Sequence, residues 1–213
     1  MTQLYFGPGA CSFVPHACLA LAGAAFEPIM VKLHKGEQQG EAFLVVNPRG
    51  QVPVLVEGDL VLDQLVAIVL HLDACHPNAE LLPHTAAART QALRTLLWMN
   101  NTVHPTFTHV FMPYKFTDDK QAQEAVRVFN TQLYAQRLAE LEALVQRAEG
   151  GWLGGAKPGA LDAYALTLLR WGSIARIDPT GYAKTWALAQ RFAELPPVAE
   201  VVQRERLQLN LMA

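Results

Sequence analysis

Two things are scarce in this chain: long apolar runs and charge of one sign. No stretch approaches the roughly 20 apolar residues needed to cross a bilayer as a helix, which argues against a membrane role. Seventeen Lys and Arg face nineteen Asp and Glu, a formal net charge of −2 spread along the chain. That leaves no basic field for a phosphate backbone and no polybasic patch for lipid, so nucleic acid is not an expected partner. Cysteine is also rare. Cys11, Cys18 and Cys75 are widely separated, odd in number and lack CxxC spacing, which excludes a disulfide framework or a cysteine zinc site and fits a reducing compartment. The first residues, Met1 to Leu4, have no basic region before an apolar run, so the expected location is cytoplasmic. No internal repeat is present, and at 213 residues the core needs no covalent staple.

What is present begins with a short apolar strand, Leu4 to Phe6, running through Gly7-Pro8-Gly9-Ala10-Cys11-Ser12 into a helix over 14–23. A cysteine at such a junction faces unpaired backbone N–H groups and the positive end of the helix dipole, which favour thiolate over thiol. Equally, a free cysteine there can be a small apolar residue filling the junction. A second strand is expected over 26–33, with Pro28 marking an edge or a strand start. Strand, helix, strand implies a parallel crossover. A short helix over 41–46 is expected to stop before Asn47-Pro48. Val52 to Val56 and Leu60 to Leu62 read as a hairpin around Gly58, followed by a helix over 63–75 with Asp63 as N-cap. The unit is βαβαββα, over residues 1–76.

Residues 77–84 are rich in proline and polar groups and read as a linker. Beyond them, over 85–213, only helical patterns occur. One long helix is expected over 85–112, kinked at Pro105, and another over 118–149. Asp162 stands where a capping-box carboxylate reaches back to Gly159, although serine or threonine is usual there and glycine costs only a few tenths of a kcal/mol as a cap. Two shorter helices, over 182–194 and 198–209, are expected to be separated by Pro196-Pro197.

A small βαβαββα unit before an all-helical domain, with Asn47-Pro48-Arg49-Gly50-Gln51-Val52-Pro53-Val54-Leu55 between its halves, resembles the cytosolic glutathione transferases. Pro8-Gly9-Ala10-Cys11-Ser12 and Val103-His104 resemble the bacterial beta class within that family. The resemblance implies a thioredoxin-like N-terminal domain holding glutathione as co-substrate, a helical domain lining the site for a small hydrophobic electrophile, and a homodimer. It implies a cis-proline step at Val52-Pro53, presenting the Val52 backbone to the cysteinyl part of glutathione as an added strand would. Cys11 matches the cysteine that contacts the glutathione sulfur and forms mixed disulfides. His104 matches a histidine that donates to the thiolate or moves a proton. Asn100 or Asn101, one turn earlier, faces the site, and Lys35 resembles the lysine that pairs with the glycyl carboxylate.

One position departs from the pattern. The family usually holds the γ-glutamyl end with an acidic or amide residue followed by serine, and this chain has Gln64-Leu65. Gln64 supplies the first group. Leu65 leaves only its backbone N–H at the helix start, and the lost hydrogen bond to a charged group is worth about 1.5–3 kcal/mol.

Val14 occupies the place of a resolving cysteine, so a CxxC dithiol mechanism is not expected. The same residues leave three readings: conjugation of glutathione to electrophiles with mixed-disulfide chemistry at Cys11, a transferase-fold protein that carries apolar ligands or protein partners, and a glutathione-dependent thiol-disulfide reductase. His71, Cys75 and His76 lack a further ligand at suitable spacing, so no metal is expected. Trp98, Trp152, Trp171 and Trp186 read as core residues. Tyr5 serves as an activating hydroxyl only if it faces the cleft.

Overall fold

At the centre of the N-terminal sheet lies β1 (Thr2–Phe6), whose alternating side chains serve two cores. The computed structural model describes residues 1–212; Ala213, the end of the expected helical segment, lies outside the described residues. Leu4 and Phe6 point into the main core, while Tyr5 packs edge-on against Phe43 at 5.9 Å in a smaller cluster on the other face of the sheet, with Val31 and Val54. Tyr5 is therefore a packing residue.

From β1 the chain passes through the Cys11 turn into α1 (Phe13–Leu21) and returns as β2 (Phe26–Met30), parallel to β1 with Leu4 opposite Pro28. A short α2 (Glu41–Leu44) precedes the hairpin of β3 (Val54–Glu57) and β4 (Leu60–Asp63), and α3 (Leu65–Cys75) follows. Strand order is β2-β1-β3-β4, with β3 antiparallel to both neighbours. This is the thioredoxin-like βαβαββα arrangement, and β2 lies at an edge, where the missing N–H of Pro28 interrupts no ladder. The Val52–Pro53 peptide is cis. Asn47 is buried and ties its own loop together, donating from Nδ2 to the Gln51 carbonyl at 2.8 Å and accepting from the Arg49 N–H at 3.1 Å. Asp63 ends β4 instead of capping α3, because its carboxylate pairs with Arg49 at 2.8 Å.

The remainder is helical: α4 (Ala86–Trp98), α5 (His104–Phe111), α6 (Lys120–Gln146), α7 (Ala160–Ile174), α8 (Ala183–Ala193) and α9 (Pro196–Glu205). The single helix expected over 85–112 is divided by a π turn, Met99–Val103. Proline lacks the N–H that would bond Asn101 and its ring crowds that carbonyl, a conflict that the widened turn just before Pro105 absorbs. Pro196 and Pro197 do not separate two helices but begin α9, since first-turn N–H groups have no partners to lose. The helix ends at Glu205, short of the expected 209.

Nearly every residue of α7 is buried, as befits a helix that is apolar on all sides. It packs against α1, α4, α5, α6 and α8, and so reaches the Cys11 junction. Asp73 joins the two halves of the chain: 4% exposed, its carboxylate accepts from Arg89 at 2.6 Å and from the Leu82 N–H at 3.0 Å. No helix among the described residues is long and apolar enough to cross a membrane.

Candidate active site at the Cys11 turn

The loop between β1 and α1 is locked by its own backbone and by the helical half of the molecule. Ser12 Oγ accepts from the Gly7 N–H at 3.0 Å and donates to the Gly7 carbonyl at 3.1 Å. Gly9 has φ of 72°, a left-handed conformation that favours glycine, and the Arg170 guanidinium lies close over it. Its N–H donates to Glu205 at 2.9 Å, and its carbonyl accepts from Trp171 Nε1 at 2.9 Å. Glu205 is 4% exposed, and its other oxygen lies 2.8 Å from Nδ1 of the fully buried His16.

Held this way, Cys11 places its sulfur 3.7 Å from the Val52 carbonyl, to which the thiol donates. Cysteine and the proline step, 41 residues apart in sequence, thus meet. The thiolate expected from the helix terminus does not form at neutral pH. Burial pushes the Cys11 pKa up to about 12; the Cys11 and Ser12 N–H groups pull it down too little, and the Glu205 charge adds to the rise.

His104 opens α5 directly after the π turn. Burial lowers its pKa to about 4, so the ring is neutral at pH 7. Nδ1 lies 2.8 Å from the hydroxyl of Tyr164, and the ring packs edge-on against Trp171 at 4.8 Å. Trp171 therefore spans from the Cys11 turn, through Gly9, to His104. Asn100 Oδ1 also lies 3.4 Å from the Tyr164 hydroxyl, and Asn100 donates to Asn101 at 2.9 Å. Of the two asparagines, Asn100 joins the histidine network, while Asn101 is exposed.

The expected glutathione contacts are less tightly linked. Gln64 is exposed and sits just before α3 with φ of 71° and ψ of 113°, a conformation that an L side chain adopts only under constraint. Leu65, 5% exposed, packs into the main core, so only its backbone faces the helix start. The first α-type bond of α3 runs from the Ile68 N–H to the Gln64 carbonyl, which leaves the N–H groups of Leu65, Val66 and Ala67 outside the helical ladder. Lys35 is exposed at the end of a 3-10 turn, Leu33–Lys35, and pairs with no carboxylate among the described residues. No hydrogen bond ties it to Cys11 or His104.

Sequence reasoning passed over Tyr164, Trp171 and Glu205. Tyr164 and Trp171 lie seven apart on α7, hence on one face, and both carry a polar tip on an apolar body. That spacing was the available signal, and reading Trp171 as core alone missed its second role. Glu205 left no such trace. The pair His71 and Cys75 does meet, at 3.6 Å, but His71 is occupied by Glu57 at 2.8 Å, and no cluster suited to a metal exists among the described residues.

Residues 2–74 match the family described as glutathione S-transferase, N-terminal domain. The chain is 30% identical to glutathione S-transferase GstA of Escherichia coli O157:H7, in an alignment covering 96% of this chain and 99% of the relative. Among solved structures, a sphingomonad glutathione S-transferase complexed with glutathione superposes with a TM-score of 0.81 at 29% identity, covering 97% of this chain and 100% of the other. The beta-class enzyme of Sphingomonas chungbukensis gives a TM-score of 0.81 at 28% identity and the same coverage. On that identity over nearly the full chain and the shared architecture, this chain belongs to the glutathione S-transferase family.

Proposed function

We propose that this protein is a cytoplasmic, beta-class-like transferase that conjugates glutathione to small hydrophobic electrophiles, in the manner of a detoxification enzyme, and works as a homodimer. In this reading residues 1–76 hold glutathione, 77–84 link, and 85–213 line the electrophile site. Val52 and Pro53 receive the cysteinyl backbone. The γ-glutamyl carboxylate sits at the start of α3, on the backbone N–H of Leu65 beside Gln64, and the glycyl carboxylate reaches Lys35. The constrained backbone of Gln64 supports this assignment, since such conformations collect at ligand sites.

The observation that carries the reading is the contact between Cys11 Sγ and the Val52 carbonyl. It sets a protonated thiol beside the place where the cysteinyl part of glutathione docks. Glutathione releases its thiol proton to solvent, its thiolate forms the C–S bond at the electrophilic carbon, and the leaving group departs with its electron pair. On binding, the Cys11 thiol turns its proton from the Val52 carbonyl to the sulfur anion, His104 donates a second hydrogen bond to it, and Asn100 steadies the histidine side of the site. A Cys11 thiol raised to about 12 is a hydrogen-bond donor and a poor nucleophile, which favours conjugation over mixed-disulfide exchange.

Conjugation of glutathione to 1-chloro-2,4-dinitrobenzene, followed with a thermal shift by glutathione, tests the proposal. Turnover above the uncatalysed rate and a raised melting temperature are expected. Absence of both overturns it, and a thermal shift without turnover on this or other electrophiles marks a transferase-fold binding protein instead.

A further inference from the structure

The Tyr164 hydroxyl is fully buried and has one proton to place. A buried phenol without an acceptor leaves an unsatisfied donor in a low-dielectric site, so that proton goes to the better partner. Two candidates are within reach: His104 Nδ1 at 2.8 Å and Asn100 Oδ1 at 3.4 Å. The shorter distance is that of a normal O–H···N bond, and the longer one is at the margin. Turning the Asn100 amide over would put its NH2 toward Tyr164, leaving Nδ1 as the single acceptor. Both amide orientations give the same answer.

We propose that Tyr164 is a positioning residue that holds neutral His104 in the tautomer with the proton on Nε2, so that His104 serves the glutathione sulfur as a hydrogen-bond donor and not as a base. A neutral imidazole has one donor and one acceptor nitrogen, and the bond made by one fixes the role of the other. With Nδ1 accepting from Tyr164, Nε2 carries N–H. Among the described residues Nε2 has no partner, yet the buried side-chain atoms without one are only Gln38 Oε1 and Arg137 Nε, so Nε2 reaches solvent. Trp171 fixes the plane of the ring through its edge-on contact and anchors it to the Cys11 turn through the Gly9 carbonyl.

The role at the sulfur rests on the transferase reading above; the tautomer does not. The glutathione proton therefore leaves to solvent, because His104 has no vacant acceptor to take it.

The test is nitrogen-resolved NMR of His104, assigned by the loss of its signals in His104→Gln, on the ligand-free protein at pH 7. The expected spectrum has Nε2 protonated and Nδ1 bare, with the Nδ1 resonance displaced by a hydrogen bond. In Tyr164→Phe that displacement disappears, and turnover falls about tenfold, as for a lost hydrogen bond to a charged sulfur, with KM for glutathione little changed. A proton on Nδ1 in the wild type overturns the proposal, as does a Tyr164→Phe variant with an unmoved Nδ1 resonance or undiminished turnover. If the wild type has no transferase activity, the functional reading fails while the wild-type spectrum still decides the tautomer.

Discussion

Cys11 shows how opposing electrostatic effects are decided by magnitude. A helix start lowers a thiol pKa through its N–H groups, and both the Cys11 and Ser12 amides act in that sense. Loss of water outweighs them, and the thiol stays protonated. Cys75 is exposed, whereas Cys11 is half-buried. Iodoacetamide at pH 7 should therefore label Cys75 well before Cys11, and Cys11 labelling should keep rising with pH towards about 12, as read by peptide mass spectrometry. Prior labelling of Cys11 at neutral pH contradicts this account. At this scale the sequence made the residue types readable: Cys11, Pro53 and His104 stand in motifs. The protonation state was not readable, because it depends on burial created by elements far away in the chain.

Elements were legible where local chemistry agreed with the fold and illegible where a neighbour intervened. Gly159 is the clearest case. By cap preference alone serine is the better residue at that position, and the carboxylate of Asp162 does accept from the Gly159 N–H at 2.9 Å. A Cβ at Gly159, however, would lie 2.4 Å from the Leu81 carbonyl, which bonds the Ala160 N–H at 3.0 Å. Close approach of another segment, not backbone freedom, selects the glycine. Gly159→Ser should thus destabilise the protein by about 1–3 kcal/mol in urea unfolding, the usual cost of overpacking, where cap preference alone predicts a slight gain. The π turn before Pro105 belongs with it: the proline was legible, but how the helix absorbs it depends on packing around Met99 and Val103, both fully buried.

At the scale of the molecule, the turn that bears Cys11 is built by one half of the chain and fastened by the other. Glu205, at the end of α9, holds Gly9 and His16 together, and Trp171 closes the opposite side of the Gly9 peptide. Such contacts span more than 160 residues, which is why no local pattern announced them, whereas the order of strands and helices followed from patterns of a few residues each. Glu205→Ala leaves the Gly9 N–H and a buried histidine nitrogen unpaired, so a loss of about 3 kcal/mol in urea unfolding is expected. Unchanged stability would show that the clasp contributes nothing.

The central claim is that Cys11 and the Val52–Pro53 step together form the seat of the glutathione sulfur. A crystal structure of the protein grown with glutathione tests it most directly. The cysteinyl backbone is expected to pair with Val52, with the glutathione sulfur within hydrogen-bond reach of the Cys11 thiol and of His104 Nε2. Glutathione bound elsewhere, or with its sulfur turned away from Cys11, contradicts it.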